Sequence, residues 1–251
     1  MNRDKTQALG VALITGAARR IGAAIACALH DVGYDVVVHC HASRDDANTL
    51  ATKLNTKRAN SALVRTADLN VKSDAKKLIK AAFNWQQRLD VVVNNASNFM
   101  KTPVNGFDEA IWDDLWRVNV KAPFWLADAA RGYLVQSNNA NIINITDIHA
   151  EKPLRDYIVY AQTKAALKLQ TEALAREYAP EIRVNAVAPG AIILPEGKNA
   201  LSDETQEKLL KKIPLARFGA PKWVASAVLS VLFNAYMTGQ TLRVDGGRTI
   251  S

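Results

Sequence analysis

Tyr160 and Lys164 stand four residues apart in Tyr160-Ala161-Gln162-Thr163-Lys164. On a helix predicted from about Tyr157 to Tyr178, that spacing puts a phenol and an ammonium one turn apart on the same face. A neighbouring ammonium favours phenolate, so the pair is expected to bring the tyrosine pKa down toward the range where proton transfer works. Upstream, Asp147 in Ile145-Thr146-Asp147 adds a carboxylate, which opposes tyrosine ionisation and can itself pass protons. Alone, Tyr-x-x-x-Lys is a common exposed-helix pattern, so its meaning depends on what surrounds it.

A second group suits phosphate. Thr15-Gly16-Ala17-Ala18-Arg19-Arg20-Ile21-Gly22 lies between an apolar run and an amphipathic one. Backbone N–H groups of such a small-residue turn, around Gly16, Arg20 and Ile21, can approach a pyrophosphate at a helix N-terminus. After the next apolar run comes His39-Cys40-His41-Ala42-Ser43-Arg44. A site for NAD normally places an Asp or Glu there for the ribose 2′-hydroxyl. His39, His41, Ser43 and Arg44 instead offer donors to a 2′-phosphate, so NADPH is expected over NADH.

The elements that must carry these residues follow from periodicity. Val11–Ile14, Asp35–Val38, Ala62–Val64, Leu89–Val93, Asn141–Ile145, Arg183–Ala188 and Thr241–Val244 read as seven strands, with amphipathic helices between them. The first helix runs from Arg20 to about Val32 and stops at Gly33. Strict alternation predicts an α/β fold: a single Rossmann-type, doubly wound, seven-stranded parallel sheet with helices on both faces, binding ligands at the carboxyl ends of its strands. The expectation is one domain over 1–251. Residues 192–215, with Pro195, Gly197 and a charged helix-like stretch, break the alternation and read as a substrate lid.

Composition narrows the field. With 49% apolar and 22% charged residues the chain is globular. No segment has the length of a signal peptide core or a membrane span, so a cytoplasmic location without membrane contact is expected. Cys27 and Cys40 read as plain thiols, with no disulfide framework or metal site. The formal charge of +8 is spread over pairs such as Lys76-Lys77 and Lys211-Lys212, which argues against nucleic acid.

The turn at Thr15–Gly22 resembles the Thr-Gly-x-x-x-Gly-x-Gly motif of short-chain dehydrogenases, with Arg20 at the middle glycine. Tyr160 and Lys164 match the same family, as do Arg183–Ala191 and the Thr238-Gly239-Gln240 and Val244-Asp245-Gly246-Gly247 stretches, so the resemblance covers nearly the whole chain. It implies that Asp68 and Leu69 contact adenine and that Asn95, Ala96 and Ser97 line the cofactor. It further implies that Pro189 and Gly190 flank the nicotinamide, and that Asn119 completes the catalytic set with an ordered water. Asp147 stands where the family carries serine.

Among these enzymes, pteridine reductases share Arg20, the His-x-His-x-Ser stretch (with Ala42 where many carry arginine), Ser97, Phe99 and Asp147. The resemblance therefore implies NADPH-dependent reduction of a pterin or folate. Arg20, Ser97, Phe99, Asp147 and Tyr160 would contact the substrate, whose flat ring would stack on Phe99. A C=N nitrogen is more basic than a carbonyl oxygen, so an aspartate site suits imines. A homotetramer built on helices near Pro123–Gln136 and Tyr157–Tyr178 is implied as well. A ketone or acyl-thioester reductase and a silent NADPH-binding sensor are the alternatives.

Overall fold

The computed structural model describes residues 8–106, 108–192 and 202–251. Seven strands form one parallel sheet: β1 (Gly10–Ile14), β2 (Tyr34–Cys40), β3 (Ala62–Thr66), β4 (Val91–Asn94), β5 (Asn141–Ile145), β6 (Arg183–Pro189) and β7 (Thr241–Val244). Their spatial order is β3-β2-β1-β4-β5-β6-β7, so the winding direction reverses between β1 and β4. A doubly wound sheet opens its ligand crevice at that reversal, outside the strands' carboxyl ends.

The five inner strands read as largely apolar runs because both faces are covered. Ala12, Ile14, Val36, Val38, Val91, Val93 and Ile143 point to one face, where Ile25 and Leu29 of α1 (Arg20–Asp31), Leu54 of α2 (Arg44–Lys57) and Val228 of α8 (Pro221–Phe233) meet them. Their neighbours Val11, Leu13, Val37, Val92 and Ile142 point to the other. There they pack on Ile79 of α3 (Lys72–Gln86), Leu126 of α5 (Ala122–Leu134) and Leu174 of α6 (Ile158–Tyr178). Successive residues thus alternate between two cores.

Element boundaries differ from the periodicity in places that matter. β2 and β3 continue to Cys40 and Thr66, pairing His39 with Arg65 beyond the apolar run. β4 starts late because the Asp90 carboxylate takes the Val11 N–H at 2.7 Å. The first helix ends as expected, with Gly33 at φ +106° just past its end. Of the stretch read as a lid, residues 193–201 lie outside the described residues. The remainder includes α7 (Asp203–Leu210), which buries no side chain. Among the described residues no helix is long and apolar enough to cross a membrane.

Candidate active site

Strand ends place the chemistry. Asp147 follows β5, and its carboxylate caps the turn Ile148–Ala150 by accepting from the His149 N–H at 2.8 Å. The other oxygen accepts from Tyr160 Oη at 2.8 Å. Tyr160 lies in the first turn of α6, buried, and Lys164 follows one turn later with its ammonium on the Ile145 carbonyl at 3.0 Å. The Lys164 nitrogen sits 5.7 Å from the Tyr160 ring centre.

This arrangement corrects the expected tyrosine ionisation. Burial, then the charge and hydrogen bond of Asp147, hold the Tyr160 pKa well above its ordinary value. Lys164 does not counter them: its own burial brings its pKa down to about 8, against the pull of Asp147. Tyr160 is therefore kept as a phenol, a form suited to giving a proton away.

Asn119 sits in a π-helical turn, Arg117–Lys121, between α4 (Glu109–Trp116) and α5. Such a turn inserts an extra residue and is a frequent device at functional sites. The Asn119 Oδ1 accepts from Ser97 Oγ (3.0 Å) and the Asn98 N–H (2.9 Å), while Nδ2 donates to the Asn98 carbonyl (3.0 Å) and Thr163 Oγ1 (3.1 Å). An amide has two donors and two acceptor sites, and all four are spent on protein. The side chain is thus no free ligand. Asn119 instead ties the loop after β4 to the helix of Tyr160, since Thr163 in turn donates to the Tyr160 carbonyl at 2.7 Å.

Phe99 lies in that same loop, stacked on Tyr157 (4.3 Å between ring centres, 15° between planes) and edge-on to Tyr160 (4.7 Å, 89°). Thr102, three residues on, is buried; its N–H donates to Asp156 O (2.6 Å) and its hydroxyl accepts the Val159 N–H (3.1 Å). Sequence reading missed Thr102 and Thr163. Both hold the loop and the catalytic helix in register.

The cofactor residues gather around the β1 end. Thr15 Oγ1 accepts the N–H groups of Asn95 (2.9 Å) and Ala96 (3.0 Å), and Asn95 Nδ2 returns to the carbonyls of Thr15 and Gly16. At Gly22 a Cβ would stand 2.3 Å from the Gly16 carbonyl oxygen, so only glycine lets α1 come this close to the turn. Arg20 has φ +55°, a left-handed backbone that favours glycine. An arginine held there costs about 1 kcal/mol or more, which points to a use for its side chain.

His39 behaves differently from its expected role. It is buried, its Nδ1 faces the Gly16 N–H at 3.2 Å, and its Nε2 faces the Ala67 carbonyl at 3.2 Å. Burial lowers its pKa to about 4, leaving a neutral ring that accepts at one nitrogen and donates at the other. Neither nitrogen is left for a 2′-phosphate, so His39 braces the phosphate turn from beneath. Strand alternation carried the signal, because His39 shares its face with the buried Val37.

His41 and Arg44 are exposed beyond β2, and Ser43 opens α2 without capping it by its side chain. Asp46, in the first turn of α2, is taken up by Arg19 (Nε to Oδ2 2.6 Å). Asp68 accepts the Asn70 N–H at 2.9 Å just past β3, with Leu69 buried beside it. Pro189 ends β6, and at Gly190 a Cβ would meet the Cβ of Asp245 at 2.7 Å. The structure therefore brings the predicted residues to one edge of the sheet, with His39 beneath it.

A family model described as enoyl-(acyl carrier protein) reductase matches residues 16–249. A Streptomyces violaceoruber protein named as ketoacyl reductase 2 of the granaticin polyketide synthase is 36% identical, over 94% of this chain and 95% of its own. Pteridine reductase 1 of Leishmania tarentolae is 34% identical over 96% of each chain. The 3-oxoacyl-[acyl-carrier-protein] reductase of Staphylococcus aureus is 35% identical over 94% of this chain and 96% of its own. With the parallel sheet and the Tyr160–Lys164 pair in place, these matches identify the chain as a member of the short-chain dehydrogenase/reductase superfamily, a family of NAD(P)H-dependent oxidoreductases.

Proposed function

We propose that the chain, as one domain in the cytoplasm, reduces a pteridine with NADPH, taking a dihydropterin or dihydrofolate to its tetrahydro form. The observation that carries this reading is the hydrogen bond from Tyr160 to Asp147 at 2.8 Å. A carboxylate beside the phenol supports protonation of a basic C=N nitrogen better than stabilisation of a carbonyl oxyanion, which gains from neutral donors and loses to negative charge.

The residues fit NADPH. The Gly16–Gly22 turn offers N–H groups at a helix start, and Arg20, His41, Ser43 and Arg44 supply donors where a carboxylate would select NAD. Asp68, Leu69, Asn95, Ala96, Ser97, Pro189 and Gly190 would line the remainder, with Ile21 at the turn. When bound, NADPH supplies the electron pair as hydride to the carbon of the C=N bond.

Tyr160 gives its proton to the nitrogen, leaving a CH–NH bond. The phenolate then faces the Lys164 ammonium, and Asp147 passes a proton back from solvent. Phe99 covers the flat ring, Ser97 and Arg20 meet its polar edge, and Asn119 keeps the Phe99 loop registered on α6. Exposed Phe124 on α5 and Leu169 on α6 support a homotetramer built on those helices.

The second reading, a carbonyl or 3-oxoacyl-thioester reductase, draws on the ketoacyl and 3-oxoacyl reductases at comparable identity. NADPH oxidation with dihydrobiopterin, dihydrofolate and acetoacetyl thioester, and NADH as control, separates the two. Pterin turnover with NADPH preferred is expected. Turnover of the thioester alone would replace the pterin reading with the second.

A further inference from the structure

Segment 245–251 follows β7 along the carboxyl edge of the sheet. Asp245 folds it back on itself, its carboxylate accepting from the N–H groups of Gly247 (2.9 Å) and Thr249 (2.7 Å). On one side, Leu215 N donates to the Gly246 carbonyl (3.1 Å) and Ser251 Oγ to the Lys212 carbonyl (2.7 Å). On the other, Lys152, in the turn that begins at Asp147, donates from Nζ to the Arg248 carbonyl at 3.1 Å. The Cβ clash that Gly190 avoids is with Asp245. The segment therefore joins the chain after α7, the Pro189-Gly190 turn and the Asp147 turn.

Arg248 projects from the middle of this junction. Its side chain is partly buried, yet its guanidinium makes no hydrogen bond or ion pair among the described residues. The other partly buried arginines differ: Arg58, Arg65 and Arg183 all donate from their guanidinium groups to backbone carbonyls, Arg58 to Asp35 as well. Burial lowers the Arg248 pKa, and Asp147 first, then Asp245, pull it back up, so both carboxylates lie within its field without taking its donors. Five N–H donors within the field of Asp147, and without a protein partner among the described residues, suit an incoming acceptor.

We propose that Arg248 is a specificity-determining residue whose guanidinium donates hydrogen bonds to an oxygen acceptor of the substrate held against Asp147 and Tyr160. The inference rests on the reductase reading above. The acceptor has two possible sources on the proposed substrates, the ring oxo group of a pterin or the tail carboxylate of a folate, and a guanidinium grips either through charge-assisted bonds.

The test compares the parent with Arg248→Ala and Arg248→Lys. Both variants keep the backbone carbonyl that Lys152 uses, and thermal melting checks their folding. Arg248→Ala is expected to raise the substrate KM about tenfold or more while the NADPH Kd stays within about twofold, as loss of a charged hydrogen bond predicts. Added guanidinium salt should restore part of the loss, which a purely structural defect would not permit. A rise for dihydrofolate alone assigns the tail carboxylate, and a rise for dihydrobiopterin too assigns the ring oxo group. An unchanged KM for both overturns the proposal. If the parent reduces only the acetoacetyl thioester, the pteridine reading fails by itself, and the same KM ratio measured on the thioester decides Arg248. A parent that turns over none of the three overturns both.

Discussion

Tyr160 Oη donates to one oxygen of Asp147 at 2.8 Å while the other oxygen of the same carboxylate accepts the His149 N–H at 2.8 Å. One side chain thus fixes the turn after β5 and holds the phenol of α6. Because that turn is capped by the carboxylate, the acceptor for the phenol is rigid. Burial and the adjacent negative charge keep Tyr160 protonated, so its proton is available to a more basic nitrogen.

Tyr160→Phe keeps the ring against Phe99 and removes the proton. The expected outcome is a fall in kcat of about 10²- to 10⁴-fold, the usual range for losing a general acid. NADPH binding, read by protein fluorescence quenching, should change little. A variant that keeps a tenth of the parent rate would assign the proton to another group.

Asp147→Ser separates the cap from the chemistry. Serine caps helical turns about as well as aspartate, so unfolding free energy should shift by less than ~1 kcal/mol. Pterin reduction is expected to drop about 100-fold or more, with any ketone or thioester rate dropping less. Equal pterin rates in parent and variant would remove the argument from imine basicity.

Arg20→Gly addresses the strained turn. At φ +55° glycine relieves about 1 kcal/mol, partly offset by the added freedom of the unfolded chain, so the melting temperature should hold or rise by about 2–4 °C. NADPH affinity should weaken about tenfold through loss of a charge-assisted contact. An unchanged NADPH Kd would mean the arginine serves something other than the cofactor.

How far these features could be read from sequence depends on how local their cause is. The sheet was legible because its five inner strands are covered on both faces, which writes a largely apolar run into the sequence at each of them. Tyr160 and Lys164 were legible because helical spacing alone places them together. Asn119 as a hub was not, because its partners Ser97, Asn98 and Thr163 come from two other elements and nothing in its own neighbourhood names them. His39 was misassigned for a different reason: a polar residue at a strand end suggests a ligand, while its two-residue spacing from Val37 indicates the core. Arg248 lies past the last strand, where no periodicity operates.

Lys164 offers a test of what the site costs. Its pKa of about 8, against an ordinary 10.5, means that below pH 8 the folded protein carries a buried ammonium at a cost of ~3 kcal/mol. Between pH 8 and 10.5 the unfolded chain binds the extra proton, so this group's contribution to stability rises with pH over that window. Lys164→Met should therefore melt higher than the parent at pH 7, lose activity, and show a smaller stability gain from pH 8 to 10. Identical slopes in urea unfolding would mean the ammonium is better solvated than its surroundings indicate.

His39 gives the opposite limb. Its folded pKa of about 4 lies below the ordinary 6.5, so the neutral ring stabilises the fold fully above pH 6.5, and that stability is lost as pH falls toward 4. The loss reaches about 2 kcal/mol by pH 5. Burial lowers His30 in the same direction, a loss common to parent and variant. His39→Gln retains one acceptor for the Gly16 N–H and one donor for the Ala67 carbonyl without a titrating ring. Its unfolding free energy should fall less between pH 7.5 and pH 5 than the parent's, by about that 2 kcal/mol. Matching slopes in the two proteins would mean that His39 takes up its proton in the folded state, and that the phosphate turn rests on a charged base.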